Sequence, residues 1–226
     1  MVKKSGKLTV WVVFLVQLFL CQGCNIFGFL ATPGPFEQKI PPDCDLKAMA
    51  AQKIFVWVEA LPGSGANAEV AKRLNQSVLV RLEKNAGISG KYLIAQDTLS
   101  ASAYGPSQSP AELGQRVGAG LVLYVRLEEF EAINLHGGKI YSGQMRARAV
   151  LIDSRSGKIL CPAGAEGIVA DVATELATKG REELVVSLSD SAAHCIVRRF
   201  YSCPKSEYRV NEERSTLNEM IRQDVY

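Results

Sequence analysis

Apolar residues along the chain form strand-like runs and helix-like stripes. The strand-like runs are the clearer of these two patterns. The runs KIFVWVEA at 53–60 and LVLYVRLEEFE at 121–131 are rich in β-branched and aromatic residues, which predicts buried strands. A further strand, GQMRARAVLIDS, is predicted at 143–154. We expect this strand to form an antiparallel hairpin with the second one.

The expected register of this hairpin sets Glu128 opposite Arg146 on the more polar face. The same register also places Arg126 directly opposite Arg148. Like charges directly across a strand pair are unfavourable, unless Glu128 lies diagonally between the two arginines.

Segments with a helical period lie between the predicted strands. Apolar residues at every fourth position across 70–82 predict a helix, with Asn67 as its N-cap. A second, short helix is predicted to begin at Ser109, with Pro110 in its first turn and Glu112 completing a capping box. Between the strand at 53–60 and the first of these helices, GSG at 63–65 predicts a turn rather than a phosphate-binding loop, because the Walker lysine and the required glycine spacing are absent.

Weaker patterns complete the order of elements. Shorter strands are predicted at 91–99, at KILCP and at 167–172, and an apolar stripe predicts a long helix from Lys179 to Tyr201. The order β-α-β-α-β-β-(β)-α indicates an α/β fold, with a mixed sheet and helices packed on it.

The amino terminus has a different character. Lysines precede an apolar run at 8–21, and Gly23 and Cys24 follow it. This order is typical of a secretory signal, and the run is shorter than the roughly 20 residues that span a bilayer. An uncleaved signal anchor over 8–31 is the alternative, and the polar residues within that stretch disfavour it.

The placement of Cys24 resembles the lipobox of bacterial lipoproteins, in which a small residue precedes the cysteine. The resemblance implies cleavage between Gly23 and Cys24 and lipid attachment to the Cys24 thiol. Cys21 is the weaker acceptor because bulky Leu20 precedes it. Asn25 is not the aspartate that retains such lipoproteins at the inner membrane, which implies the outer membrane, facing the periplasm.

We therefore expect four segments. They are a signal peptide at 1–23, a lipidated flexible tether at 24–45, an α/β domain at 46–203, and a tail at 204–226 in which a short amphipathic helix can form.

The folded part also resembles known families. GAGLVLYVRLEEFE followed by ARAVLIDSRSGKIL is similar to periplasmic domains of the curli secretion lipoprotein, the penicillin-binding-protein activator lipoproteins and the amino-terminal domain of TolB. Here Gly118-Ala119-Gly120 stands where they have Gly-Ala-Asp. Over its whole length the chain resembles predicted bacterial lipoproteins of unknown function. The shared motifs are structural turns, so the resemblance implies a fold and an envelope location rather than an activity.

The cysteines fit such a location. Cys44, Cys161 and Cys203 each flank a predicted element, so we expect a disulfide among these three in an oxidising compartment. Cys195 lies on the apolar stripe of the last helix and is expected in the core. Four buried thiols remain the alternative.

Candidate chemistry is sparse. His136 and His194 are the two histidines of the chain, and no zinc-binding spacing accompanies them, so we expect no metal and no cofactor. Strand alternation should divide Glu128, Glu129 and Glu131 between the two faces of the sheet. Lysines at the amino terminus account for the formal charge of +3, and the balanced remainder disfavours nucleic-acid binding.

These observations predict a membrane-anchored envelope lipoprotein that acts as a non-catalytic interaction or assembly module, with an envelope protein or a second copy as its partner. One alternative is a periplasmic carrier of a small ligand or lipid, with a pocket under the last helix. Another is a cell-wall-associated hydrolase that uses Glu128 or Glu131.

Overall fold

The computed structural model describes residues 38–49, 52–99, 108–137, 140–164, 166–177 and 180–214. The predicted processing and lipid-attachment positions, Cys21, Gly23 and Cys24, lie outside these residues. The short helix predicted in the tail also lies outside them.

The described strands and helices follow one another in a mixed order. The strands are β1 (Lys39–Ile40), β2 (Ile54–Ala60), β3 (Leu93–Ile94), β4 (Leu121–His136), β5 (Ile140–Asp153), β6 (Ile159–Cys161), β7 (Ile168–Ala177) and β8 (Cys203–Pro204). The helices are α1 (Leu46–Met49), α2 (Ala68–Lys84), α3 (Pro110–Arg116), α4 (Arg181–Val197) and α5 (Lys205–Tyr208).

A six-stranded mixed sheet organises the fold, and the predicted α/β class is confirmed. Its strand order is β3-β2-β4-β5-β6, and β7 pairs with β5 as well. Strand β2 runs parallel to both β3 and β4, whereas β4, β6 and β7 are all antiparallel to β5.

Helices cover the two faces of the sheet unequally. The long helices α2 and α4 pack on one face over the main hydrophobic core. On the other face, the short helix α3 covers a smaller cluster that includes Phe55, Trp57, Leu113 and Val122. The rest of that face carries charged side chains that pair with one another.

The predicted helix caps are confirmed. The Asn67 side chain accepts a hydrogen bond from the Val70 amide at 3.0 Å. At the start of α3, Ser109 Oγ accepts from the Glu112 amide, and Glu112 Oε2 accepts from the Ser109 amide at 3.1 Å. Both caps satisfy amide groups that the first helical turn leaves without partners.

The strand predicted at 91–99 is much shorter than expected, because the chain turns at both ends of it. Only Leu93–Ile94 pair with β2, and 3₁₀ turns precede and follow them. In the second turn the Leu99 amide bonds the Gln96 carbonyl, which diverts the chain from the edge of the sheet.

The predicted hairpin register holds only as far as residue 127. Arg126 does lie opposite Arg148, but Glu129, and not Glu128, lies opposite Arg146. Glu128 is the extra residue of a β-bulge, which changes both the register and the direction of the side chains that follow.

The folded region extends beyond the predicted limits at residues 46 and 203. Strand β1 pairs with β8, with Ile40 opposite Cys203. Further along the tail, Glu213 forms a bridge with Val172 of β7. The two ends of the described chain are therefore part of the packed structure.

Candidate functional site

The cysteines for which the sequence predicts a disulfide or a core position have different environments in the fold. Cys44 and Cys161 form a disulfide, with their Cα atoms 6.2 Å apart. Cys203 is a buried thiol whose Sγ lies 3.6 Å from the Pro204 carbonyl. Cys195 is buried in the core, as expected for its position on the stripe, and burial raises the pKa of its thiol to about 12. The structure therefore contains a disulfide rather than the four thiols of the alternative.

A groove lies along the edge of β2, where β3 ends. Strand β3 covers only Ile54 and Phe55 of β2, and within the described residues no other strand continues the sheet on that side. The space beyond, which we call the β2-edge groove, has a volume of about 550 Å³. It lies between α2 and the 3₁₀ turn at Gln96–Thr98. Its lining includes Trp57, Val58, Glu59, Ala60, Ala71, Lys72, Asn75, Gln76, Leu79 and Asp97.

Two amide side chains bond the backbone of β2 in this groove. Asn75 Nδ2 donates to the Val56 carbonyl at 2.8 Å, and the Val58 amide donates to Gln96 Oε1 at 3.0 Å. Both backbone groups point toward the sheet edge, where a neighbouring strand would supply the partner. Side chains thus take the place of strand pairing at two consecutive positions, since backbone groups in a buried setting need partners.

The far wall of the groove is aromatic and acidic. The rings of Trp57 and Tyr124 are tilted against each other with centroids 5.0 Å apart, and Tyr124 donates its hydroxyl to Glu59. Burial raises the pKa of Tyr124, and the hydrogen bond and charge of Glu59 raise it further. Trp57 is buried, as its strand position predicts. Two carboxylates, Glu59 and Asp97, line the groove.

The prediction that Glu128, Glu129 and Glu131 divide between two faces is wrong. Because of the bulge, Leu127 and Phe130 both face the core, so the three glutamates share the outer face. There Glu129 and Glu131 both accept from Gln144 Nε2, at 2.6 and 3.1 Å.

Glu128 sits between the two opposed arginines. Its Oε1 lies 2.8 Å from Arg148 Nε and 3.4 Å from an Arg126 guanidinium nitrogen. The diagonal arrangement that relieves the arginine pair is therefore present. Beside it, Arg146 bonds Asp171 at 2.8 Å. These carboxylates are ion-pair and hydrogen-bond partners on an open sheet face, and none of them lines the β2-edge groove.

The sequence patterns did not reveal a buried ionic cluster at the end of α4. Arg198 is 3% exposed, and its guanidinium bonds both carboxylate oxygens of Glu213 at 2.8 and 2.9 Å. His194, expected on the flank of the helix, is also buried, and its Nδ1 lies 3.3 Å from an Arg81 guanidinium nitrogen. Burial lowers the pKa of His194, and the charges of Arg81 and Arg198 lower it further.

One of the groove residues had a signal in the sequence. Asn75 directly follows Leu74 of the apolar stripe and is itself buried, so a polar residue beside the stripe indicates a hydrogen-bonding role inside the fold. Gln96 had no such signal, since its role depends on the turn that follows β3. A pocket was expected under the last helix, but the β2-edge groove lies elsewhere. The inner side of α4 packs directly on the sheet.

Neither a metal cluster nor a membrane span occurs in the described part of the chain. Among these residues, no group of three or more histidine, cysteine, aspartate or glutamate side chains is placed to hold a metal ion. No helix in the same ranges has the length and apolar character needed to cross a bilayer.

Known proteins resemble this chain in structure alone. No family model matches the chain, and no curated protein matches it. The lipoprotein GNA1162 from Neisseria meningitidis is 20% identical, with a TM-score of 0.39 over 64% of this chain and 97% of that one. The PelC dodecamer from Paraburkholderia phytofirmans is 12% identical, with a TM-score of 0.37 over 73% and 94% of the two chains.

A third solved structure is similar over more of the chain. Protein XCC0632 from Xanthomonas campestris is 11% identical, with a TM-score of 0.36 over 85% of this chain and 94% of that one. With TM-scores below 0.5 throughout, these similarities assign neither a family nor a function to this chain.

Proposed function

We propose that this protein is a lipid-anchored protein of the bacterial cell envelope whose α/β domain binds another protein without catalysing a reaction. The observation that carries the proposal is the order of lysines, apolar run, Gly23 and Cys24 at the amino terminus. A lipidated Cys24 fixes the domain to a membrane, and more than one acyl chain makes such an anchor stable.

The disulfide supports a location of the domain on the oxidising, periplasmic side of the membrane. Cys44 lies shortly after the proposed attachment site and is bonded to Cys161 in the folded domain. Disulfides form and persist in oxidising compartments such as the periplasm. Export past the membrane therefore accounts for the lipobox-like sequence and for the disulfide together. Asn25 favours the outer membrane as the final location.

The described surface supports a binding role. The charged side chains of the open sheet face are engaged with one another, as for Glu128 with Arg148 and for Arg146 with Asp171. The β2-edge groove, in contrast, is a concave site with backbone groups of β2 on its floor. Binding clefts of this size, with a few placed polar groups, are typical of ligand sites.

Metabolic labelling with a fatty-acid analogue tests the anchor. We expect the wild-type protein and Cys21→Ala to incorporate the label and Cys24→Ala to lose it, because of these two cysteines only Cys24 follows a small residue. Cys21→Ala is the matched control, since it removes a cysteine from the same segment. Undiminished labelling of Cys24→Ala contradicts the proposal.

A small-ligand carrier is the second candidate, because the groove volume of about 550 Å³ suits a small ligand. Native mass spectrometry of the protein purified from its own cells checks this role. A bound molecule of defined mass supports a carrier, and a protein that is free of ligand in repeated preparations argues against one.

A further inference from the structure

We propose that the β2-edge groove binds an extended peptide segment of a partner protein, which adds to the sheet as a strand beside β2. This inference deepens the proposed binding role by naming the chemistry of the partner. It does not depend on the lipid anchor.

The hydrogen bonds on the groove floor favour the addition of a strand. Strand alternation directs the backbone of Val56, Val58 and Ala60 toward the open edge. The Val56 carbonyl and the Val58 amide are bonded by the side-chain amides of Asn75 and Gln96. A side-chain amide presents the same donor and acceptor as a peptide group, so an incoming strand can replace Gln96 without leaving the Val58 amide unsatisfied.

The size of the groove suits a short strand. A strand rises about 3.3 Å per residue, so the edge from Val56 to Ala60 accommodates a partner strand of about four or five residues. The groove volume of about 550 Å³ lies within the roughly 300–1,000 Å³ of typical ligand sites. A short extended peptide fits this space better than a helix, whose diameter is about 10–12 Å with side chains.

The two walls of the groove differ in chemistry. Alternate side chains of an added strand point to opposite faces of the sheet. On one side they meet Ala71 and Leu79 of α2, which favour small apolar residues. On the other side they meet Glu59 and Asp97.

Charge complementarity therefore selects lysine or arginine at alternate positions of the peptide. Within the described lining, Lys72 is the cationic side chain, and it lies on α2, while two carboxylates line the groove. The Glu59 carboxylate is held in place by the Tyr124 hydroxyl, so it is fixed before a ligand arrives. The partner segment is thus an extended one in which small apolar residues alternate with basic ones.

The test measures binding of the peptide Val-Lys-Val-Lys-Val-amide, labelled with fluorescein at its amino terminus so that both lysines keep their charge, to the full chain in detergent by fluorescence anisotropy. We expect saturable binding that Gln76→Trp weakens at least tenfold, because the indole enters the groove from its α2 rim. Val80→Trp is the matched control. Val80 is exposed on the same helix and does not line the groove, so we expect its dissociation constant within twofold of wild type.

Backbone methylation distinguishes strand pairing from other modes of binding. Only alternate amides of an added strand face β2. We therefore expect methylation of one alternate pair of peptide nitrogens to weaken binding at least tenfold, and methylation of the other pair to change it little. We also expect Gln96→Ala to strengthen binding severalfold, since the peptide then displaces no side chain, and Lys-to-Glu replacement in the peptide to weaken it.

Three results overturn the proposal: absence of binding at millimolar peptide, equal binding by Gln76→Trp and wild type, or indifference to both methylation patterns. Self-association that Gln76→Trp abolishes, without peptide binding, overturns a partner peptide and favours a second copy in the groove. None of these results bears on labelling at Cys24, so failure of the groove and failure of the anchor are distinguishable.

Discussion

Among individual side chains, the most consequential feature is the burial of Arg198. A guanidinium out of water needs its charge and its donors satisfied. Glu213 accepts two hydrogen bonds from the guanidinium, the Tyr208 carbonyl accepts another, and the centroid of the Tyr208 ring lies 4.3 Å from the guanidinium carbon. Burial raises the pKa of Glu213, but the hydrogen bonds and charge of Arg198 outweigh it, and the net pKa is lowered. The pair thereby holds the segment after β8 against the fold.

Neighbouring arginines allow a matched test of this role. Arg198→Ala leaves Glu213 partly buried without its cation, so we expect a loss of about 3–5 kcal/mol in the free energy of unfolding, measured with urea. Arg199→Ala removes the pair with Asp43, which is 44% exposed at its side chain, and we expect a loss of no more than about 1 kcal/mol. Similar losses for both variants contradict a special role for Arg198.

Among the strands and helices, the β4–β5 hairpin shows how one extra residue changes a face of the sheet. Without the bulge, alternation would direct Glu128 and Glu129 to opposite faces. With it, both lie on the outer face, and Glu128 reaches the opposed Arg126 and Arg148. Glu128 therefore supplies the negative charge between the two arginines, and the bulge adds Glu129 to the same face.

Removal of that charge has an expected cost. We predict that Glu128→Gln lowers the free energy of unfolding by about 0.5–1.5 kcal/mol, because the two arginines then repel each other. Glu131→Gln is the control, since Glu131 bonds the neutral side chain of Gln144, and we expect a change within about 0.5 kcal/mol. Unfolding in 1 M salt should reduce the loss for Glu128→Gln through screening. A loss that does not respond to salt argues against charge repulsion as its cause.

Across the folded domain, long-range links connect segments that are distant in sequence. The Cys44–Cys161 disulfide joins positions 117 residues apart, and it ties the segment before α1 to the end of β6. Nearby, the amides of Asp43 and Cys44 donate to the Arg199 carbonyl, in the 3₁₀ turn that follows α4. The first and last described segments are thus fixed to the same region of the domain.

Loss of the disulfide should destabilise the fold as a whole. We expect the double variant Cys44→Ser, Cys161→Ser to lose about 2–5 kcal/mol of unfolding free energy in the absence of reductant. Dithiothreitol should produce a comparable loss in the wild type and no further loss in the double variant. A wild-type protein whose urea midpoint does not respond to dithiothreitol contradicts this expectation.

Features that depend on neighbouring residues could be predicted from the amino-acid sequence. The helix at 68–84 and its Asn67 cap follow from a local period and a local hydrogen bond, and so does the capping box at Ser109. The strands β2, β4 and β5 and the α/β class also follow from local patterns, since burial of one or both faces leaves a period that the sequence records.

Features that depend on distant partners became visible only in the folded chain. The bulge at Glu128, the burial of Arg198 against Glu213, and the choice of Cys161 as the partner of Cys44 arise from packing between segments far apart in sequence. The β2-edge groove belongs with them. It exists because a turn at Gln96 ends β3 after two residues, and no local period records where a neighbouring strand stops.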